Sequence, residues 1–206
     1  MMSTRAAAVH RGLNLEYFTV TWSLLEALVA LIAGAVAGSI ALVGFGLDSL
    51  IEASSGSILL WRLHSDHDEG RRETVEKQAL KLVGLSLLAL AVYVTGDATF
   101  SLVKKEAPER SLPGIALALV SLVVMPLLAR AKRRVASELA SPALQADSRQ
   151  ADICVYLSAI LLLGLLLNMA WGWWWADPVA GLVMVPLIVY EGIRALSGKT
   201  CCDNCG

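Results

Sequence analysis

Apolar residues fill six long stretches of the chain, and polar residues gather between them. The stretches cover residues 14–36, 38–61, 79–101, 112–129, 142–171 and 177–196, and we number them spans 1 to 6. Each meets the length of about 20 residues that a helix needs to cross the hydrocarbon core of a bilayer. The pattern therefore predicts an all-α integral membrane protein built as a bundle of six transmembrane helices.

The composition supports this interpretation. Of the 206 residues 56% are apolar, whereas an average soluble domain has roughly 45–50% by a similar count. Only 17% are charged, where about 25% is usual. This excludes soluble, disordered and disulfide-rich classes. The net charge of −1 gives no sign of a basic surface that would bind nucleic acid, so we expect no nucleic-acid partner.

Basic residues indicate the orientation of the bundle, because basic loops stay in the cytoplasm. Only Lys104, Lys105 and Arg110 lie on the side that this rule places outside, together with a Trp-rich segment at residues 171–175. The prediction is N-in and C-in, in the plasma (cell inner) membrane. Twelve basic residues lie on the predicted inner side: Arg5, Arg11, Arg62, Arg71, Arg72, Lys77, Arg130, Lys132, Arg133, Arg134, Arg194 and Lys199.

The chain divides into three predicted parts. Residues 1–13 form a cytoplasmic N-terminal leader without the features of a cleaved signal peptide. Residues 14–196 form the six-helix transmembrane domain, and residues 197–206 form a cytoplasmic tail rich in cysteine.

Carboxylates inside the spans are the first candidate for function, because each costs on the order of 2.5–3.5 kcal/mol at the bilayer centre. In span 2, Asp48 and Glu52 are four residues apart and share one helical face. In span 5, Ser148 and Asp152 have the same spacing. Asp48 and Asp152 each lie roughly 15 Å deep in antiparallel spans, at 1.5 Å per residue. The sequence therefore predicts one shared cation site.

Other polar residues of the spans allow two interpretations. Asp147 lies near the inner surface, where it either pairs with Arg149 or the backbone or contributes to the site. Glu16 and Glu26 of span 1 are interpreted mainly as structural. Cys154 comes two residues after Asp152, so it points elsewhere on a helix and is interpreted as a packing residue.

Two clusters outside the spans also contain residue types that bind metals. The first follows span 2 and is either a metal site or a solvated acidic turn, and the second is the tail, where CxxC is a weak signal by itself. Thiols in a cytoplasmic tail stay reduced and could capture or sense a metal. The residues are His64, Asp66, His67 and Asp68 after span 2, and Cys201, Cys202 and Cys205 in the tail.

Three segments resemble the cation diffusion facilitator (cation efflux) family. Residues 47–52, followed by residues 59–62, resemble its second span, and residues 150–153 resemble its fifth. Residues 175–181 resemble the start of its sixth span. The resemblance covers residues 14–196, and span 2 is also similar to the short zinc-efflux branch known as transmembrane protein 163.

This resemblance implies a homodimeric antiporter that exports divalent metal (Zn²⁺, Mn²⁺, Fe²⁺, Co²⁺ or Cd²⁺) in exchange for protons, with the metal as substrate and no prosthetic group. The family's site is carried over to Asp48, Glu52, Ser148 and Asp152, with Asp147 as a substitute ligand. Ser148 stands where zinc members generally have histidine, so the expected site is all oxygen, which suits harder ions such as Mn²⁺. Because only a short segment follows span 6, we expect that this protein lacks the family's cytoplasmic metal-sensing domain.

Other functions remain open. A channel or importer fits the same helices, and a non-transporting membrane metal sensor or assembly subunit would use the cysteine-rich tail. A membrane thiol oxidoreductase would need a second cysteine pair, which the sequence lacks. We therefore expect that the protein is not an enzyme.

Overall fold

The predicted fold class is confirmed by the structure, a computed structural model that describes residues 2–64, 69–105, 108–139 and 142–197. Each of the six helices in these ranges contains a stretch long and apolar enough to cross a membrane. The protein is therefore a multi-pass integral membrane protein. The helices are α1 (Met2–Ala37), α2 (Ile40–His64), α3 (Glu69–Lys104), α4 (Leu112–Leu139), α5 (Pro142–Trp171) and α6 (Ala176–Ser197).

The helices extend beyond the predicted spans at one end of the bundle. Helix α1 already begins at Met2, so most of the predicted leader is continuous with span 1. Basic residues placed in loops by the sequence analysis lie instead in α3 and in the last part of α4. Hydropathy identifies only the part of a helix that crosses hydrocarbon, whereas the helix itself continues while its polar residues reach water.

Helix α2 is the central helix of the bundle. It packs against α1, α3, α5 and α6. The apolar core around it includes the fully buried side chains of Leu42, Phe45, Leu87 and Leu157. Polar residues on the buried face of α2 therefore lie in the interior of the protein and not against lipid.

Small residues allow the helices to approach closely. A Cβ atom added at Gly84 of α3 would lie 2.7 Å from the carbonyl oxygen of Gly192 in α6. One added at Gly164 of α5 would lie 2.7 Å from the Cβ of Ala180 in α6. In lipid no hydrophobic driving force holds helices together, so close van der Waals packing of this kind takes its place.

The first turn of α2 is held by a carboxylate of α6. The backbone nitrogen of Ile40 donates to Oδ2 of Asp177 over 2.9 Å, and the hydroxyl of Ser39 donates to Oδ1. Gly38, with φ +64°, reverses the chain just before this turn. Asp177 therefore satisfies amide groups that a helix start leaves free, and it fixes the depth of α2 beside α6.

Candidate metal site

Two carboxylates and a thiol converge in the interior of the bundle. Glu26 of α1, Glu52 of α2 and Cys154 of α5 are buried, and one ligand atom from each lies within 4.8 Å of the other two. We call these three residues the central cluster. Its members come from three different helices, so only the packed bundle creates it.

Asp48 borders the central cluster. It lies one turn before Glu52 on α2 and is buried, with 8% of its surface exposed. Its carboxylate is close enough to Glu52 and Glu191 for Coulombic repulsion, and it acts in the same way on Cys154. The interior thus contains several acidic groups that would repel one another if all of them were ionised.

Hydroxyl groups orient the two glutamates. The Ser23 hydroxyl donates to Oε2 of Glu52 over 3.1 Å, and the Ser49 hydroxyl donates to Oε2 of Glu26 over 3.2 Å. The other oxygen of Glu26 is buried and has no hydrogen-bond partner among the described residues. A carboxylate can accept several bonds, so Glu26 retains acceptor capacity that a cation could use.

The donor set of the central cluster suits a divalent cation. Carboxylates grouped in a low-dielectric interior cannot all stay ionised unless a cation or protons compensate them. Zn²⁺ binds carboxylate oxygen and thiolate sulfur, and a thiolate favours softer ions than an all-oxygen site does. The cluster can therefore exchange a metal ion for protons on the same atoms.

The family model of the cation efflux transmembrane domain matches residues 18–198, which run from α1 to the end of α6. The chain belongs to the cation efflux family. A protein of Synechocystis sp. named as an uncharacterized transporter is 26% identical over 171 residues, which is 80% of this chain and 55% of the relative. The chain thus spans about half the length of that relative. The predicted family is confirmed, while the transmembrane protein 163 branch stays a prediction.

The residues predicted for the site of this cation efflux protein separate into two groups. Asp48 and Glu52 lie on the buried face of α2, as expected. Asp152 has a 38% exposed side chain, and both of its oxygens accept hydrogen bonds from Arg133 of α4 at 2.7 Å. Ser148 is buried and donates to the carbonyl of Gln145 in its own helix. The structure therefore brings neither Asp152 nor Ser148 into the central cluster.

Cys154 lies in the apolar core, as expected of a packing residue, but it faces Glu26 and Glu52 and does not point away from them. Asp147, Ala151, Cys154 and Ser158 are spaced three or four residues apart and form the buried face of α5. Asp152 lies about 200° around the helix from Cys154, at 100° per residue. The sequence analysis grouped Ser148 with Asp152 and did not consider that Asp147 and Cys154, two helical turns apart, share a face. That spacing was the signal that could have identified Cys154 as a candidate ligand.

Asp147 pairs with a buried lysine, a partner that the sequence analysis did not consider. Lys132 of α4 forms an ion pair with Asp147 and lies 3.2 Å from Oε2 of Glu16. The assignment of Lys132 to a cytoplasmic loop is therefore wrong.

The two predicted metal-binding clusters outside the spans stay predictions. His64 is the last residue of α2, and the structure describes its backbone only. The other members lie outside the described residues: Asp66, His67, Asp68, Cys201, Cys202 and Cys205.

Proposed function

We propose that this member of the cation efflux family transports a divalent metal cation through the central cluster. The observation that carries the proposal is the convergence of Glu26, Glu52 and Cys154 at the centre of a membrane-spanning bundle. Buried acids in such a place mark ion pathways more often than they serve structure alone. The name of the Synechocystis relative, a transporter, supports the same function.

The presence of Cys154 favours softer ions. An all-oxygen site would suit Mn²⁺, whereas one thiolate among carboxylates shifts the preference toward Zn²⁺ and Cd²⁺. We therefore place Zn²⁺ first among the substrates and Mn²⁺ last.

Proton exchange follows from the chemistry of the ligands. Carboxyl and thiol groups must lose protons before they bind a metal ion, so metal and protons compete for Glu26, Glu52, Cys154 and neighbouring Asp48. A site that opens alternately to the two sides would then move metal one way and protons the other. We propose that the protein is a homodimeric antiporter of the plasma membrane that exports the metal. The sensor alternative depends on the tail and has no support from the central cluster.

Flux into proteoliposomes tests this function. Zn²⁺, Mn²⁺, Fe²⁺, Co²⁺ and Cd²⁺ are offered separately across an imposed pH gradient. We expect Zn²⁺ flux that depends on the gradient and falls about tenfold or more in Glu52→Gln, because losing a metal ligand weakens binding at least as much as losing an outer-shell partner. Glu138→Gln is the matched control, since Glu138 forms an exposed ion pair with Arg11.

Three outcomes would contradict parts of the proposal. An intact, folded protein without flux for any ion would rule out the transporter. Flux that Glu52→Gln leaves unchanged would rule out the central cluster as its site. Flux indifferent to the pH gradient would rule out proton exchange and leave metal transport standing.

A further inference from the structure

A second group of buried charges lies near the central cluster. Lys132 of α4 places its ammonium between Glu16 of α1 and Asp147 of α5. Nζ of Lys132 is 3.2 Å from Oε2 of Glu16 and forms an ion pair with Oδ2 of Asp147. The side chains of Lys132 and Glu16 are fully buried, and that of Asp147 is 5% exposed. We call these three residues the charged triad.

The charged triad lies between the central cluster and the end of the bundle where α1 begins and α6 ends. A Cβ atom at Gly56 of α2 would be 3.5 Å from Oε2 of Glu16. Gly56 follows Glu52 by four residues, about 6 Å along a helix. In α1 Glu16 precedes Glu26, and in α5 Asp147 precedes Cys154.

The order of the residues along α1, α2 and α5 therefore gives the same position for the charged triad relative to the central cluster. Helices α1 and α5 begin at the end of the bundle where α6 finishes, and α2 also finishes there. The basic residues predict that this end is cytoplasmic. An ion that moves from that end to Glu52 along α2 passes the triad.

The triad has more acidic groups than a structural ion pair needs. Two carboxyl groups converge on a single ammonium, so the triad has one acidic side chain more than it has basic ones. Oε1 of Glu16 and Oδ1 of Asp147 are buried and have no hydrogen-bond partner among the described residues. Buried acceptors without partners are costly and rare in native proteins. These two oxygens lie on the carboxyl groups that already bind the Lys132 ammonium, which indicates a cation site with unused ligand atoms.

We propose that Glu16 and Asp147 form a second divalent-cation site on the path to the central cluster, and that the Lys132 ammonium occupies this site when no metal ion is passing. The proposal rests on the proposed function, because the path is that of the transported ion. Lys132 and a metal ion compete for the same oxygens, so the lysine must move aside before the ion enters. The lysine thereby closes the path with a charge of the same sign as the substrate.

Counting bound ions tests the site without transport. The parent in this experiment is a variant with serine in place of Cys201, Cys202 and Cys205 and alanine in place of His64 and His67, which removes both predicted metal-binding clusters outside the spans. Its Zn²⁺ content is measured by equilibrium dialysis in detergent. We expect Lys132→Gln to bind one Zn²⁺ per chain more than the parent. In Glu16→Gln/Lys132→Gln/Asp147→Asn we expect the number to return to that of the parent, because the carboxylates are then gone.

The difference in bound Zn²⁺ between Lys132→Gln and the parent tests the second site. The number of Zn²⁺ ions that the parent binds tests the central cluster. A parent that binds no Zn²⁺ at the cluster would contradict the proposed function, while an extra ion in Lys132→Gln would still support the second site. Equal ion counts in the parent and in Lys132→Gln would overturn the second site.

A milder variant covers the case that Lys132→Gln does not fold. Glu16→Gln keeps the ion pair between Lys132 and Asp147. We expect it to raise the KM for Zn²⁺ about tenfold when the ion is offered on the side where α1 begins and α6 ends, because losing one group around a metal ion weakens its binding by about 10- to 100-fold. Glu138→Gln, on the exposed surface, is the control. A KM unchanged in Glu16→Gln would show that the triad only stabilises the fold and would overturn the proposal.

Discussion

Cys154 determines the chemical character of the central cluster. It supplies sulfur, whereas Glu26 and Glu52 supply oxygen. Sulfur ligands stabilise softer ions and carboxylates stabilise harder ones. A single side chain on α5 therefore decides whether the cluster resembles a zinc site or a manganese site.

Replacing this sulfur changes the expected preference between ions. In Cys154→Ser we expect the ratio of Zn²⁺ flux to Mn²⁺ flux to fall about tenfold, because the loss of the thiolate weakens Zn²⁺ binding far more than Mn²⁺ binding. The two ions are offered together and counted in the same vesicles. Tyr156→Phe, at an exposed position of the same helix, is the control. An unchanged ratio would remove Cys154 from the site.

The residues Lys132 and Arg133 show how much one position along a helix matters. They are adjacent, yet Lys132 is fully buried against two acids and Arg133 forms a partly exposed pair with Asp152. A buried charge needs its partners, whereas an exposed pair contributes only about 0–1 kcal/mol. Neither role follows from residue type, because both residues are basic and both follow span 4.

At the scale of helices, α3 and α6 cross through two glycines. The carbonyl oxygen of Gly192 occupies the space that a side chain at Gly84 would need. Leu196 also presents its backbone nitrogen there, 2.9 Å from the added atom. Backbone cannot move as a flexible side chain does, so this crossing depends on the absence of a Cβ.

Alanine at the crossing should separate the two helices. We expect Gly84→Ala to lower the free energy of unfolding by about 1–3 kcal/mol, the usual cost of overpacking. Gly96→Ala in the same helix meets nothing within 4 Å and should be neutral or stabilise by up to about 1 kcal/mol. Unfolding of both variants is measured by denaturant titration in micelles. Equal stabilities would show that α3 and α6 are not held by this contact.

At the scale of the molecule, six consecutive helices bring the start of α1 and the end of α6 to one end of the bundle. The charged triad lies toward that end, and the central cluster lies deeper. Charged residues concentrate in the helix extensions at the same end, where Arg11 and Glu138 form an exposed pair between α1 and α4. The charge distribution predicts that this end faces the cytoplasm.

Labelling of cysteines with a membrane-impermeant maleimide tests this orientation. In right-side-out vesicles we expect Lys105→Cys, in a chain whose tail cysteines are serine, to react within minutes. The native tail cysteines Cys201, Cys202 and Cys205 should react only after the vesicles are permeabilised. The reverse pattern would show that the side where α1 begins and α6 ends faces outward.

The amino-acid sequence by itself determined the six helices, the membrane class and the family. Long apolar stretches are local signals, since a bilayer requires each helix to satisfy its own backbone within one segment. The pair Asp48 and Glu52 was also predictable, because residues four apart on one helix must share a face. These properties need no knowledge of how the helices pack.

Only the tertiary structure decided which helical faces meet. Helical spacing groups Ser148 with Asp152 and Asp147 with Cys154, but it does not say which group faces α2. Packing placed Cys154 beside Glu52, added Glu26 from α1, and turned Asp152 toward Arg133. It also buried Lys132 between Glu16 and Asp147, residues that are 116 and 15 positions away in the chain. The physical reason is that rotation of a helix about its axis is set by contacts with its neighbours, and those contacts join residues far apart in sequence.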